Sequence, residues 1–172
     1  MLSVPALHLL ASLVLTAPAQ LAGPSCLLPP VVAPIVDPFR EPECTWCPGN
    51  RGLTYAAPSG GVVRAAAAGR VTFSGVVAGV RYVVVEHADG LRATYGGLQA
   101  TEVEAGAVVV AGAVVGRSGE ELHFGLRRGE TYLDPAPLLG RLVERARLVP
   151  TDGTGRRSAP PPTLRCAARG PT

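Results

Sequence analysis

Few residues in this chain can do chemistry. Beyond residue 22 it keeps two histidines, His87 and His123, and four cysteines, Cys26, Cys44, Cys47 and Cys166. His123 stands in Glu120-Glu121-Leu122-His123-Phe124-Gly125-Leu126-Arg127, where polar and apolar positions alternate. On a strand, that alternation turns Glu121, His123 and Gly125 to one face and Leu122, Phe124 and Leu126 to the other. A neutral imidazole beside a carboxylate is a metal-ligand pattern only when further donors converge on it; alone it reads as a structural or solvated histidine. No Gly-x-Ser-x-Gly elbow supplies a nucleophile, and Ser74 and Ser118 lie in turn-like contexts.

The cysteines are an even set, which in an oxidising compartment favours disulfides. Of the three possible pairings, Cys44 with Cys47 and Cys26 with Cys166 is favoured, the second joining two distant segments, although the sequence leaves the others open. Cys44-Thr45-Trp46-Cys47 has the spacing of a redox pair. Pro48-Gly49 directly after it forbids the helix that lowers a thiol pKa in such pairs. No second Cys/His pair completes a zinc knuckle.

Export is expected from the leader. Residues 1–22 carry no acidic or basic side chain except His8, an apolar run extends from Ala6 through Leu15, and Ala17-Pro18-Ala19 forms a small-residue cleavage box before Gln20. Residues 1–19 therefore read as a signal peptide; the run is short for a retained membrane anchor, and no later segment is apolar for long enough to span. The net charge of +3 is too small to argue for nucleic acid. All sixteen basic residues are arginine.

The elements that position His123 are short strands. Of the chain, 47% is hydrophobic, with few aromatics and much Val, Ala and Gly. Strand patterns cover Leu53–Ala56, Gly61–Ala67, Arg70–Val77, Val80–His87, Leu91–Tyr95 and Glu120–Arg127, and Ala88-Asp89-Gly90 is a hairpin signal. The repeated Ala-Gly-Ala-Val-Val at 105–109 and 111–115 predicts two short strands and a turn. Pro137–Arg147 is the one helix candidate, grouping Leu138, Leu139, Leu142 and Val143. The expected fold is all-β, a compact antiparallel sandwich or partly open barrel with one short C-terminal helix. Its expected organisation is a Pro-rich lead-in over 20–35, a β domain over 36–149 and a disordered Arg- and Pro-rich tail over 150–172.

In order, several pieces resemble the lysostaphin-like, LytM-domain family of peptidoglycan zinc endopeptidases. They are Asp37-Pro38-Phe39-Arg40, Asn50-Arg51-Gly52-Leu53-Thr54-Tyr55-Ala56-Ala57-Pro58, Thr94-Tyr95-Gly96-Gly97-Leu98, Val103-Glu104-Ala105-Gly106, Glu121-Leu122-His123-Phe124 and Asp134-Pro135. The resemblance spans roughly Val36 to Leu139 and implies the family's β fold. Active members hold zinc with a His and an Asp of the second piece and the last His of a His-x-His, while two further histidines serve the reaction. Mapped residue by residue, the ligand positions hold Asn50, Thr54 and His123, and the two catalytic positions hold Gly97 and Glu121.

Only His123 is retained as a metal ligand, so the resemblance implies a catalytically degenerate member with no cofactor. Its role would be in peptidoglycan binding or remodelling, or as activator of a wall hydrolase. The expected cleft comprises Asn50, Arg51, Thr54, Tyr95, Gly97, Glu121 and His123, with His123 hydrogen-bonded to Glu121. The expected partner is a peptidoglycan peptide or a cell-wall hydrolase, met by an exported or wall-associated monomer. The alternative is an active zinc endopeptidase with a rebuilt metal site. Paired Val-x-x-Gly turns also occur in biotinyl and lipoyl carriers, but those must acylate a lysine, which this chain lacks.

Overall fold

The computed structural model describes residues 26–44, 46–143 and 163–166. The expected signal peptide and most of the expected tail lie outside them. Nearly all regular structure is antiparallel β, organised around one long strand.

In chain order the strands are β1 (Ile35–Asp37), β2 (Leu53–Tyr55), β3 (Val62–Arg64), β4 (Gly69–Val77), β5 (Val80–Glu86), β6 (Leu91–Thr101), β7 (Val108–Val109), β8 (Val114–Arg128), β9 (Thr131–Leu133), β10 (Arg141–Val143) and β11 (Thr163–Arg165). The main sheet runs β1-β2-β8-β6-β5-β4-β7 and does not close, with β3 and β9 pairing to the two ends of β8; β10 and β11 form a separate pair. Among the described residues no helix is long and apolar enough to cross a membrane.

β8 pairs with β2, β3, β6 and β9, and its alternation fixes the core. Leu122, Phe124 and Leu126 are fully buried, as the sequence predicts, and meet Val83, Val85, Ala93 and Tyr95 of β5 and β6. Burying each such side chain contributes roughly 1.5–3 kcal/mol. The Asp89-Gly90 turn forms as read: Gly90 takes φ +76°, and the Leu91 amide donates to the Asp89 carboxylate at 3.2 Å.

Three sequence expectations need correction. Val114–Gly116 and Glu120–Arg127 are one strand rather than two, continuous across a bulge: on β6 a single residue separates Gly96 from Leu98, while their β8 partners, His123 and Ser118, stand five positions apart. The helix expected over Pro137–Arg147 is instead a 3₁₀ turn at Ala136–Leu138 followed by β10, and residues 144–147 lie outside the described residues. The backbone there is already committed. Leu27 N–H donates to Leu138 O, Gly140 N–H donates to Leu27 O, both at 2.8 Å, and a side chain at Gly140 would run into the Cys26 sulfur. Finally, the expected tail contains an ordered strand, since Thr163–Arg165 pair with β10.

The lead-in belongs to the domain as well: Leu27 and Val31 are buried in the core, and Leu28 N–H donates to Ala66 O at 2.8 Å. Two disulfides, Cys26–Cys166 and Cys44–Cys47, complete the covalent frame.

Candidate functional site

His123 projects from the middle of β8 into a row of residues that crosses four strands. Its neighbours in register are Thr54 on β2 and Gly96 on β6, and Gly96 in turn stands opposite Tyr82 on β5. The glycine leaves room for the Tyr82 ring: a Cβ at residue 96 would lie 2.5 Å from Tyr82 Cε1 and 3.6 Å from His123 Cβ. Tyr82 therefore lies across the bare backbone of Gly96. Gly52 plays the same part on the other side, where a Cβ would come within 2.8 Å of His123 Cε1.

Asn50 enters this row from the loop before β2. Two backbone hydrogen bonds fix it against Arg40, Arg40 N–H to Asn50 O at 2.9 Å and Asn50 N–H to Arg40 O at 3.0 Å. Its side chain, only 6% exposed, donates from Nδ2 to Asp37 Oδ2 and to the Asp37 carbonyl, each at 3.0 Å, and lies 3.3 Å from Thr54 Oγ1. Arg40 grips the same carboxylate through both terminal nitrogens. The result is a polar chain, Arg40–Asp37–Asn50–Thr54, ending beside His123. Burial holds the His123 imidazole below its ordinary pKa, and the charge of Asp37 opposes that shift in part.

Outward from His123 the row opens into a cleft of about 300 Å³. Its walls carry three arginines, Arg51, Arg92 and Arg127, and two tyrosines, Tyr82 and Tyr132. The Arg51 guanidinium lies over the Tyr132 ring, 5.6 Å from its centroid. Arg92 pairs with Glu86 at 2.8 Å, and Arg127 stands 3.9 Å from Glu130.

Residues 48–135, half of the chain, match Peptidase family M23. The chain belongs to that family. Among curated relatives, an uncharacterized protein of Mycobacterium tuberculosis is 34% identical over 79% of this chain and 60% of its own length. The murein hydrolase activator EnvC of Escherichia coli is 36% identical over 65% of this chain and 28% of its own. Of solved structures, Helicobacter pylori Csd3 superposes with a TM-score of 0.60 at 31% identity, covering 66% of this chain and 33% of that one. The chain thus spans at most 60% of the length of these proteins.

Within this M23 domain Asn50, Thr54 and His123, the residues that the resemblance maps to zinc-ligand positions, lie next to one another. Their chemistry does not fit a catalytic zinc, which takes three anionic or imidazole donors around an open position. Only His123 is such a donor. The Asn50 amide turns its N–H₂ toward Asp37 and Thr54, and a donor group cannot coordinate a cation. Among the described residues no three His, Cys, Asp or Glu side chains are grouped to hold a metal.

The two positions that the resemblance maps to catalytic histidines hold Gly97 and Glu121. Gly97 has φ +76°, and a Cβ there would lie 2.5 Å from Glu121 O. The bulge of β8 occupies the space a side chain at 97 would need. Glu121 is exposed on that bulge, where the β6–β8 register is interrupted, and makes no hydrogen bond to His123, contrary to expectation.

Tyr95 also needs correction. It is fully buried on the opposite face, packed on Phe124 with ring centroids 5.4 Å apart, and its hydroxyl accepts a hydrogen bond from Ala66 N–H at 2.8 Å. The alternation of Leu91, Ala93 and Tyr95 carries the signal that it belongs to the core. Asp37, Tyr82, Arg92, Arg127 and Tyr132 are absent from the expected cleft. Arg92 could have been found from the same alternation, while Asp37 reaches the site through the β1–β2 pairing together with the Arg40–Asn50 bridge.

Proposed function

We propose that this M23 domain is a non-catalytic wall module, exported from the cell, which binds peptidoglycan peptide or a wall hydrolase in the cleft beside His123. The observation that carries this reading is the Asn50 amide, locked as a hydrogen-bond donor between Asp37 and Thr54 where a metal ligand would stand. A site built this way holds itself together with its own polar groups and gains no water activated by a metal. Similarity to a protein named as a murein hydrolase activator supports the second half of the reading.

The cleft suits a peptide that carries carboxylates. Arginines present planar, bidentate donors, and the two tyrosines offer flat apolar faces with polar tips. Without a metal, the same walls bind and orient but do not cleave.

The test combines metal analysis with two functional assays on the full chain after export. Purified protein equilibrated with zinc and dialysed should retain far less than one equivalent, release no new amino groups from purified peptidoglycan, and either retain stem peptide or accelerate a purified wall amidase. One equivalent of zinc, lost in His123→Ala together with cleavage of peptidoglycan cross-links, would overturn the reading in favour of an active endopeptidase.

A further inference from the structure

Beside the cleft lies a second, larger groove of about 820 Å³ whose walls include Glu41, Trp46, Arg51, Glu130, Thr131 and Tyr132. It meets the cleft along the stacked pair Arg51 and Tyr132, which line both. One wall is the excursion between Arg40 and Asn50, closed at its base by their two backbone hydrogen bonds and at its tip by the Cys44–Cys47 disulfide. Trp46 stands within that disulfide and is 93% exposed.

An indole so exposed on a covalently clamped loop offers a flat apolar face with a polar tip to a ligand. The groove around it is not apolar enough for a helix or a lipid chain. Two carboxylates, a hydroxyl and a guanidinium alternate with the aromatic faces, and the carboxylates repel a polyanion. What matches is a neutral ring with apolar C–H faces and hydroxyls at its edge.

We infer that this groove is a saccharide subsite, in which a pyranose ring of a neutral N-acetylated glycan stacks on Trp46 and directs its hydroxyls to Glu41 and Glu130. The inference rests on the reading of the adjoining cleft as a wall-binding site, and it adds the sugar strand to the peptide. The clamp matters because an ordered platform loses less conformational entropy on binding than a free loop.

Trp46 is the chain's single tryptophan, so its fluorescence reports this groove alone. The probe is the tetrasaccharide of β-1,4-linked N-acetylglucosamine, titrated into the full chain, with a sugar-free stem peptide as the second arm. Saturable quenching or a blue shift with the tetrasaccharide is expected. Calorimetry should show affinity about tenfold weaker in Trp46→Ala, the size of one lost stacking contact, and largely kept in Trp46→Phe. Glu41→Gln, at an exposed position that lines this groove and not the cleft, should weaken the sugar arm and leave the peptide arm unchanged. Reduction of Cys44–Cys47 should weaken the sugar arm as well. Stem peptide that binds through Arg92 and Arg127 while the tetrasaccharide leaves the emission unchanged overturns the saccharide subsite and spares the cleft reading. Emission that responds only to a purified wall amidase, and loses that response in Trp46→Ala, overturns it in favour of a protein contact. Failure of peptide, amidase and sugar together overturns both.

Discussion

The Asn50 amide nitrogen lies 3.0 Å from the Asp37 carboxylate, a contact made at the position that the family resemblance maps to a zinc ligand. Asp37 is further neutralised by Arg40, so the buried amide bridges an ion pair and a hydroxyl. Removing the amide should therefore cost more than its size suggests. Asn50→Ala strands the acceptors it serves and should destabilise the domain by about 1–3 kcal/mol. Asn50→Asp should be worse at neutral pH, where it sets two carboxylates together, and should recover as acid protonates one of them. Denaturant unfolding at pH 7 and pH 4 checks both.

Rebuilding the donor set is the converse experiment. Asn50→His with Thr54→Asp would restore two zinc donors beside His123, and the double variant should retain close to one equivalent of zinc after dialysis where the parent retains little. Peptidoglycan cleavage should stay absent, because positions 97 and 121 still lack imidazoles. Metal analysis and an amine-release assay read the two outcomes separately.

Position 97 does not simply accommodate a histidine. Its positive φ and the nearby Glu121 carbonyl should make Gly97→His, and even Gly97→Ala, unfold more easily by about 1–3 kcal/mol. A thermal melt as stable as the parent's would show that the β8 bulge rearranges freely.

His123 gives the domain a pH dependence whose sign follows from its surroundings. Burial favours the neutral imidazole and lowers the folded-state pKa below the ordinary 6.5. The unfolded chain then binds the proton first as pH falls. The stabilising contribution is complete above about pH 6.5 and is lost as pH drops through the folded value. Proton NMR of the His123 ring should titrate below 6.5. Asp37→Asn removes the opposing charge and should move it lower still.

The two disulfides should differ in worth. On the loop-entropy relation, closing the 140-residue separation of Cys26 and Cys166 contributes about 5 kcal/mol, against about 2 kcal/mol for Cys44 and Cys47. Paired serine substitutions followed by thermal melts should rank them in that order, with the second pair affecting the Trp46 groove more than global stability.

Much of this architecture was legible from local pattern. Leu122, Phe124 and Leu126 alternate with His123 as a half-buried strand must, and Asp89-Gly90 announces its hairpin. The convergence of Asn50, Thr54 and His123 was legible only through the family resemblance, since their separation along the chain carries no geometric information. What escaped was non-local. The leucine spacing of 138–143 does favour a helix, but the pairing of Leu27 with residues 138–140 and of β10 with β11 overrides that propensity. Asp37 sits thirteen residues before Asn50, and the β1–β2 register together with the Arg40–Asn50 bridge makes them neighbours. Ser118-Gly119 reads as a turn between strands, yet the bulge absorbs it within one.

The Cys26–Cys166 link has a mechanical consequence. The two residues stand 5.5 Å apart at the Cα atoms, with the entire β8-centred sheet lying between them in sequence. Tension that enters the polypeptide ahead of Cys26 and leaves it beyond Cys166 runs through the sulfur bridge and bypasses the sheet. While the bridge is oxidised, pulling cannot peel β1 from β2 or open the cleft beside His123. Once it is reduced, the same pull loads the short β10–β11 pair and then the sheet, so the domain's resistance to force is set by the redox state of a single bond.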